Sequence, residues 1–301
     1  MKKHYILVGA LAAACSLTSC SNDEDTEPTG QRAAIGLESR TTTVGELTER
    51  LRSYNRNLGC KYTDAPFKSL PKPTFTTKDK IKIAIADVKG GLRGAGGGVP
   101  GVIVGAAVQS LIKAGEIYAL KNLKAWFSDK MFNGLIHSNG DFEFADSVGY
   151  YHNLAEAGMY NINNSSHLMT SYALVESADS MMRRVSSGYV EAGGLDSNGL
   201  AMVAAHTDNV RNITDNDLSF DAYLKQLKAQ NPEDADYLDF AAEYLYTVFY
   251  ANVDIDEYTD EVMIIVRDSN ADIEDSSLLY NCIQIAYASV IYARNTTLTE
   301  N

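Results

Sequence analysis

Between Asp236 and Tyr250 the apolar and aromatic residues Tyr237, Leu238, Ala241, Tyr244, Leu245 and Val248 return every third or fourth position. That interval is the period of one face of an α-helix and is incompatible with a half-buried strand, whose apolar residues alternate. The same spacing recurs at Leu47, Leu51, Tyr54 and Leu58, at Phe220, Tyr223, Leu224 and Leu227, and at Leu279, Cys282, Ile283, Ala286 and Val290. Two-residue alternation is nearly absent. The chain therefore reads as all-α, an irregular multi-helix bundle of about eight to ten helices.

Caps and breakers set the expected boundaries. Thr43 with Glu46 predicts a helix over 43–58 that Gly59 ends, and Thr77 caps a second carrying Ile81, Ile85 and Val88. The glycines after it cost too much backbone entropy for a stable helix, so residues 90–101 are expected as a loop. Beyond Pro100 a long buried helix runs from Val102 to Trp126, and Asp146 caps the next. A helix over 166–187 has Leu168, Tyr172, Val175, Met182 and Val185 on one face, and another covers 197–212. Ser219 opens a further helix. Asn231 caps the one after Pro232, and two more lie near 259–268 and 276–294. Asp254, Asp256 and Asp260 read as a solvated acidic loop, because Thr259 and Ile265 stand where a calcium loop needs glycine and glutamate.

The N-terminus has a different composition. Met1-Lys2-Lys3-His4 is basic, the run from Tyr5 to Ala14 is apolar, and small residues come next, which is the layout of a secretory signal over 1–19. Leu17-Thr18-Ser19-Cys20 resembles the bacterial lipoprotein box, which implies cleavage before Cys20 and acylation of that thiol. The polar stretch over 20–42 holds too few apolar side chains to offset the entropy of ordering, so a flexible acidic tether is expected there, ahead of one helical domain over 43–301. About twenty such residues reach roughly 25 Å. The cluster Ser21-Asn22-Asp23-Glu24-Asp25 is similar to the export signal of surface lipoproteins in Bacteroides-like bacteria, which implies an outer-membrane, cell-surface location.

The formal net charge is −13, and it falls further once Lys2 and Lys3 leave with the signal. Such a surface repels a phosphate backbone, so nucleic acid is not an expected partner. The expected contacts are the membrane, through the lipid, and a protein or glycan of unassigned identity. Cys60 and Cys282 are the cysteines left to the mature domain; they either pair, or Cys282 is a small buried hydrophobe.

The segment Asp87–Gly98 is glycine-rich but lacks the glycine-lysine-serine/threonine ending of a phosphate loop. Small residues at Gly101, Gly105 and Ala106 suit close helix packing or, alternatively, membrane association. With Val148-Gly149-Tyr150-Tyr151-His152-Asn153 downstream, residues 80–160 resemble a loose set of uncharacterised Bacteroidetes lipoproteins that share glycine, two residues, then histidine-asparagine. That resemblance implies no activity. His152 and Asn153 are the candidate chemical pair: either His152 is a general base, as in a hydrolase, or a metal ligand, or the pair ties its helix to the glycine segment. No histidine or cysteine lies at zinc-ligand spacing, and no cofactor is expected. Three readings of function are open: a non-catalytic surface lipoprotein that binds a partner or serves envelope assembly, a hydrolase centred on His152, and a membrane-active protein using the glycine segment.

Overall fold

The structure is a computed structural model that describes residues 41–59, 76–121, 123–126, 148–162, 170–211, 218–251, 253–295 and 297–300. All of them lie in one compact unit from Arg40 to Asn301, and the described part is predominantly helical, as the periodicity requires. The leader, Cys20, Cys60, His137, Asp146 and His167 lie outside the described residues.

Helix α1 (Val44–Asn57) begins with a reciprocal cap, in which Thr43 Oγ1 accepts from the Glu46 N–H at 3.2 Å and the Glu46 carboxylate accepts from the Thr43 N–H at 3.0 Å. Gly59, at φ 72°, stands just past its end. Thr42, the last residue of the expected tether, is buried, and its N–H donates to the Asn270 carbonyl at 2.8 Å.

Helix α2 (Thr77–Gly94) is capped by Thr76 with Asp79, not by Thr77, and α3 covers Gly98–Lys121. The loop expected over 90–101 is thus a correction: only the short 3-10 turn Ala95–Gly97 separates the helices, and Gly90, Gly91, Gly94, Gly101 and Gly105 are helical. The physical reason is contact. A Cβ on Gly94 would stand 2.0 Å from the Gly101 carbonyl oxygen, and one on Gly90 would stand 2.2 Å from that of Gly105. The backbones touch where side chains would hold them apart, and packing compensates the entropy that glycine loses.

The long helix also stops earlier than expected. Leu123–Trp126 form strand β1, paired antiparallel with β2 (Thr297–Glu300), with Leu123 opposite Glu300. Threonines at 297 and 299 favour extended backbone, and the pairing gives the preceding segment a partner.

Helix α4 (Val148–Ile162) is followed by α5 (Ser171–Val185), capped by Thr170. The buried stripe of α5 is Leu174, Val175, Ala178, Met181 and Met182, whereas Tyr172 and Val185 face solvent. Ser186 ends α5 and caps α6 (Ser187–Glu191), and α7 spans Ser197–Arg211. Ser219 caps α8 (Phe220–Gln230). Asn231 does not cap the next helix; its Nδ2 donates back to the Leu227 carbonyl, and the 3-10 turn Pro232–Asp234 leads into α9 (Ala235–Tyr250).

The acidic run expected as a loop instead starts α10 (Ile255–Arg267): Asp254 accepts from the N–H groups of Asp256 and Glu257, where carboxylates favour a helix N-terminus. The last helix, α11, spans Ile273–Asn295.

The α2–α3 hairpin is the axis of the bundle. α3 packs on α4, α5 and α7, while α2 packs on α11, α9 and α8, and α1 lies across α9 and α10. Ile81, Ile85, Ile103 and Leu111 are fully buried along the hairpin, each contributing about 1.5–3 kcal/mol by removal from water.

Candidate functional site

The polar side chains that could carry chemistry meet inside this axis. Asp87 comes from α2 and Ser110 from α3, while α4 supplies His152, Asn153 and Glu156, and α11 supplies Ser289. All are buried, with His152 and Ser110 at 0% exposure and Asp87 at 1%. Each is polar for a local reason that its helix pattern hides. Asp87 flanks the row Ile81, Ala84, Ile85, Val88, and Glu156 sits four residues after His152, so the two share one face of α4.

Gly149 brings α4 onto α11, since a Cβ there would stand 2.4 Å from the Gln284 carbonyl oxygen. That approach lets Asn153 Nδ2 donate to the Ala288 carbonyl at 3.0 Å. The Asn153 amide is thereby oriented with Oδ1 toward His152 Nδ1, also at 3.0 Å, so Nδ1 carries the imidazole proton and donates. The pair therefore ties its helix to α11 rather than to the glycine turn. His152 Nε2 is left as a bare acceptor, 3.8 Å from Asp87 Oδ2 and 4.0 Å from Glu156 Oε2.

Ser110 Oγ donates to Glu156 Oε1 at 2.7 Å. Ser289 Oγ lies 2.6 Å from Asp87 Oδ2 and 2.8 Å from the Ile285 carbonyl. Asp87 Oδ1, His152 Nε2 and Glu156 Oε2 have no hydrogen-bond partner.

Burial moves these groups toward their neutral forms. It pushes the Asp87 carboxyl up to about 8, against the stabilising hydroxyls of Ser289 and Ser110. Burial, then the neighbouring Asp87 charge, raises Glu156 well above the carboxylate range. Burial lowers His152 to about 4, with the Asn153 hydrogen bond opposing. The short His152–Asp87 separation is within ion-pair reach, yet neutrality is the better description: a dry ion pair at 3.8 Å with no direct hydrogen bond does not recover its desolvation cost. Burial thus biases the cluster toward an imidazole beside carboxylic acids.

As chemistry, a bare imidazole nitrogen beside carboxyl groups is the inventory of a general base. As geometry, it has no approach for a substrate, because His152 lies in the core and not in a cleft. Among the described residues, no three His, Cys, Asp or Glu side chains are disposed to hold a metal ion.

Sequence reasoning singled out His152 and Asn153 and missed Asp87, Glu156, Ser110 and Ser289. The one available signal was polar residues on otherwise apolar helix faces. Cys282 is a free, buried thiol whose pKa burial raises; Cys60, its proposed partner, lies outside the described residues.

A second charged group lies beside the glycine turn. Arg93 pairs with Glu233 and with Asp234, and burial lowers Lys89 to about 8. His206 of α7 is half-buried there and is lowered by burial and then by Arg93 and Lys89.

An open groove of about 920 Å³ runs between α1 and α10, lined by Tyr54, Ile264 and Ile265 together with Glu46, Glu49, Arg50 and Asp268. Compared with known proteins, the chain matches no family model, no curated protein and no solved structure.

Proposed function

We propose that the protein is a lipid-anchored outer-membrane protein, displayed at the cell surface, that binds a partner or serves envelope assembly without catalysing a reaction. The anchoring half rests on Leu17-Thr18-Ser19-Cys20 and the acidic residues after it. The non-catalytic half rests on one observation: the histidine best suited to chemistry is fully enclosed by packed helices.

The partner's place is the groove between α1 and α10. Its lining holds Glu46, Glu49 and Asp268 beside Arg50, with Glu49 and Asp268 also paired to Arg52 and Arg267, so the groove suits a partner recognised mainly by an apolar ridge for Tyr54 and Ile264. A tyrosine-rich patch is a weaker basis for binding: Tyr189, Tyr223, Tyr244 and Tyr258 are in the core, and among the described tyrosines Tyr172 and Tyr250 are the strongly exposed ones.

The membrane-active reading has one observation in its favour. The stretch Thr77–Ile117 is long and apolar enough to cross a bilayer, although the run Val99–Val108 taken alone is too short. Against it, 72% of the most apolar window is buried in the protein, and α2 carries Lys82, Asp87, Lys89 and Arg93, each costing about 2.5–3.5 kcal/mol near a bilayer centre.

The test uses the intact lipoprotein in its own membranes. Labelled palmitate should enter the wild type and not Cys20→Ala. A photo-crosslinker at Ser53 should capture a partner that is lost in Ile264→Asp. An unlabelled wild type, or a capture indifferent to Ile264, would refute the respective half of the proposal.

A further inference from the structure

The buried cluster has a hydrogen-bonding deficit of one kind. Asp87 Oδ1, Glu156 Oε2 and His152 Nε2 are its unpartnered atoms, and with the imidazole proton committed to Asn153 all three are acceptors unless the carboxyls are protonated. Acceptors cannot bond one another. The Ser289 hydroxyl repeats the deficit, because it has one hydrogen and two oxygens within bonding distance, Asp87 Oδ2 and the Ile285 carbonyl.

Two added protons resolve nearly all of this. A proton on Asp87 Oδ2 lets that carboxyl donate to Ser289 Oγ, which then donates to Ile285. A proton on Glu156 Oε2, a short side-chain rotation from His152 Nε2, gives the imidazole its donor while Oε1 keeps the Ser110 hydrogen bond.

We propose that this node is a proton-operated latch: with Asp87 and Glu156 both protonated it clamps the α2–α3 hairpin to α4 and α11, and loss of those protons in alkaline medium loosens the clamp. Each of the four helices contributes at least one member, so the node spans the contacts that hold the hairpin in the bundle. Deprotonation leaves two carboxylates and an imidazole lone pair facing one another.

Among the described residues, Lys113 and Lys82 are engaged away from the node. Lys113 of α3 bonds Glu116 at 2.8 Å and lies 4.3 Å from the Tyr223 ring centre, and Lys82 of α2 lies over the same ring. Lys89 Nζ has no hydrogen-bond partner, and the charges that act on it are those of Arg93, Asp234 and Glu233 rather than Asp87 or Glu156. On the neighbouring helices, Asp179 of α5 is held by Arg183 and Tyr189, and Glu243 of α9 by Asn55 and Arg52. Burial, which raises both carboxyls, acts in the same direction.

The experiment is hydrogen exchange of the full chain at pH 6 and pH 9, corrected for intrinsic rates, in wild type, Asp87→Asn and Glu156→Gln. An amide at either position mimics the protonated acid in shape and can donate where the acid would. In the wild type, protection of α2, α3 and α4 should fall from pH 6 to pH 9, by up to about tenfold per pH unit for each proton lost. Both variants should fold, be at least as protected as the wild type at pH 6, and lose much of that decline. Wild-type protection that is the same at both pH values would overturn the latch. So would variants that are as pH-sensitive as the wild type, or that are already unprotected at pH 6, since the carboxyls would then act as charged partners. Restored protection at pH 9 on adding Zn²⁺ or Mn²⁺, absent from Asp87→Asn, would also overturn it, because the guest would be a cation.

Discussion

Asp87 and Asp179 are both buried aspartates on helices, and their surroundings are opposite. Asp179 Oδ1 accepts from the Tyr189 hydroxyl at 2.6 Å and the Leu195 N–H at 2.9 Å, while its Oδ2 accepts from Arg183 Nε at 2.6 Å. Arg183 also donates to the Leu195 carbonyl, so the hub closes the chain from α5 through α6 to the start of α7. Asp87 has serine hydroxyls, a bare imidazole nitrogen and another carboxyl around it. The first aspartate receives three donors, one of them a guanidinium; the second has only serine hydroxyls to receive from and faces an imidazole lone pair and another carboxyl, which suits a proton. Burial alone therefore does not tell a structural carboxylate from a titrating one, whereas the donor and acceptor count around it does.

The largest effect that bears on this contrast acts on the frame that holds Asp87. Gly94→Ala places a methyl against the Gly101 backbone, which cannot yield as a side chain can, so we expect a loss of about 3 kcal/mol or more in urea unfolding. Hydrogen exchange should show the loss concentrated in α2 and α3, with the Leu195 amide little changed; uniform loss would mean the two regions are one cooperative unit.

Next is Asp179→Ala, which strands the Tyr189 hydroxyl, the Leu195 N–H and Arg183. With Arg183 38% exposed, a cost of about 2–3 kcal/mol is expected, below the full figure for a buried pair. Asp179→Asn should recover only part of it, because an amide cannot accept from all three donors. Full recovery would erase the distinction from Asp87.

The pH profile separates the two sites further. Asp87 has an ordinary value of 3.8 and sits near 8 when folded, and Glu156 is raised in the same sense, so the folded chain holds more protons than the unfolded one. Their contribution is complete below the unfolded value and is lost as pH rises through the folded one. His152 is depressed from 6.5 to about 4, so its contribution is present above 6.5 and fades as pH falls through 4. The acids and the imidazole partly cancel between 4 and 6.5, and above that window the acids act alone. Stability should therefore decline from about pH 6.5 to pH 8, by up to about 1.4 kcal/mol per pH unit for each proton. Equilibrium unfolding across that range is the check, and a rise would contradict it.

The smallest effect is expected at Tyr172, 45% exposed on α5. Tyr172→Ser should change stability by about 0.5 kcal/mol or less, which a thermal melt can bound.

Helix periodicity makes the fold class legible, because bundle helices advertise one apolar face. It misleads where two demands meet in one segment. The glycines of α2 and α3 look like a loop when weighed by propensity and are helical because two backbones need contact at Gly94 and Gly101. Counting Tyr172 and Val185 misphases the α5 stripe, since their apolar character does not require burial. Within the candidate site, His152 and Asn153 stand out as a pair. Asp87 and Ser289 are separated by 202 residues and meet only through the packing of α2 on α11, which no local pattern encodes.

The most direct measurement is a carboxyl ¹³C NMR titration of the labelled full chain, with Asp87→Asn and Glu156→Gln used to assign the signals. Both carboxyls should be protonated at pH 6, and Asp87 should change state near pH 8. A midpoint for Asp87 close to its ordinary 3.8 would show a charged group in the core and contradict a node held together by protons.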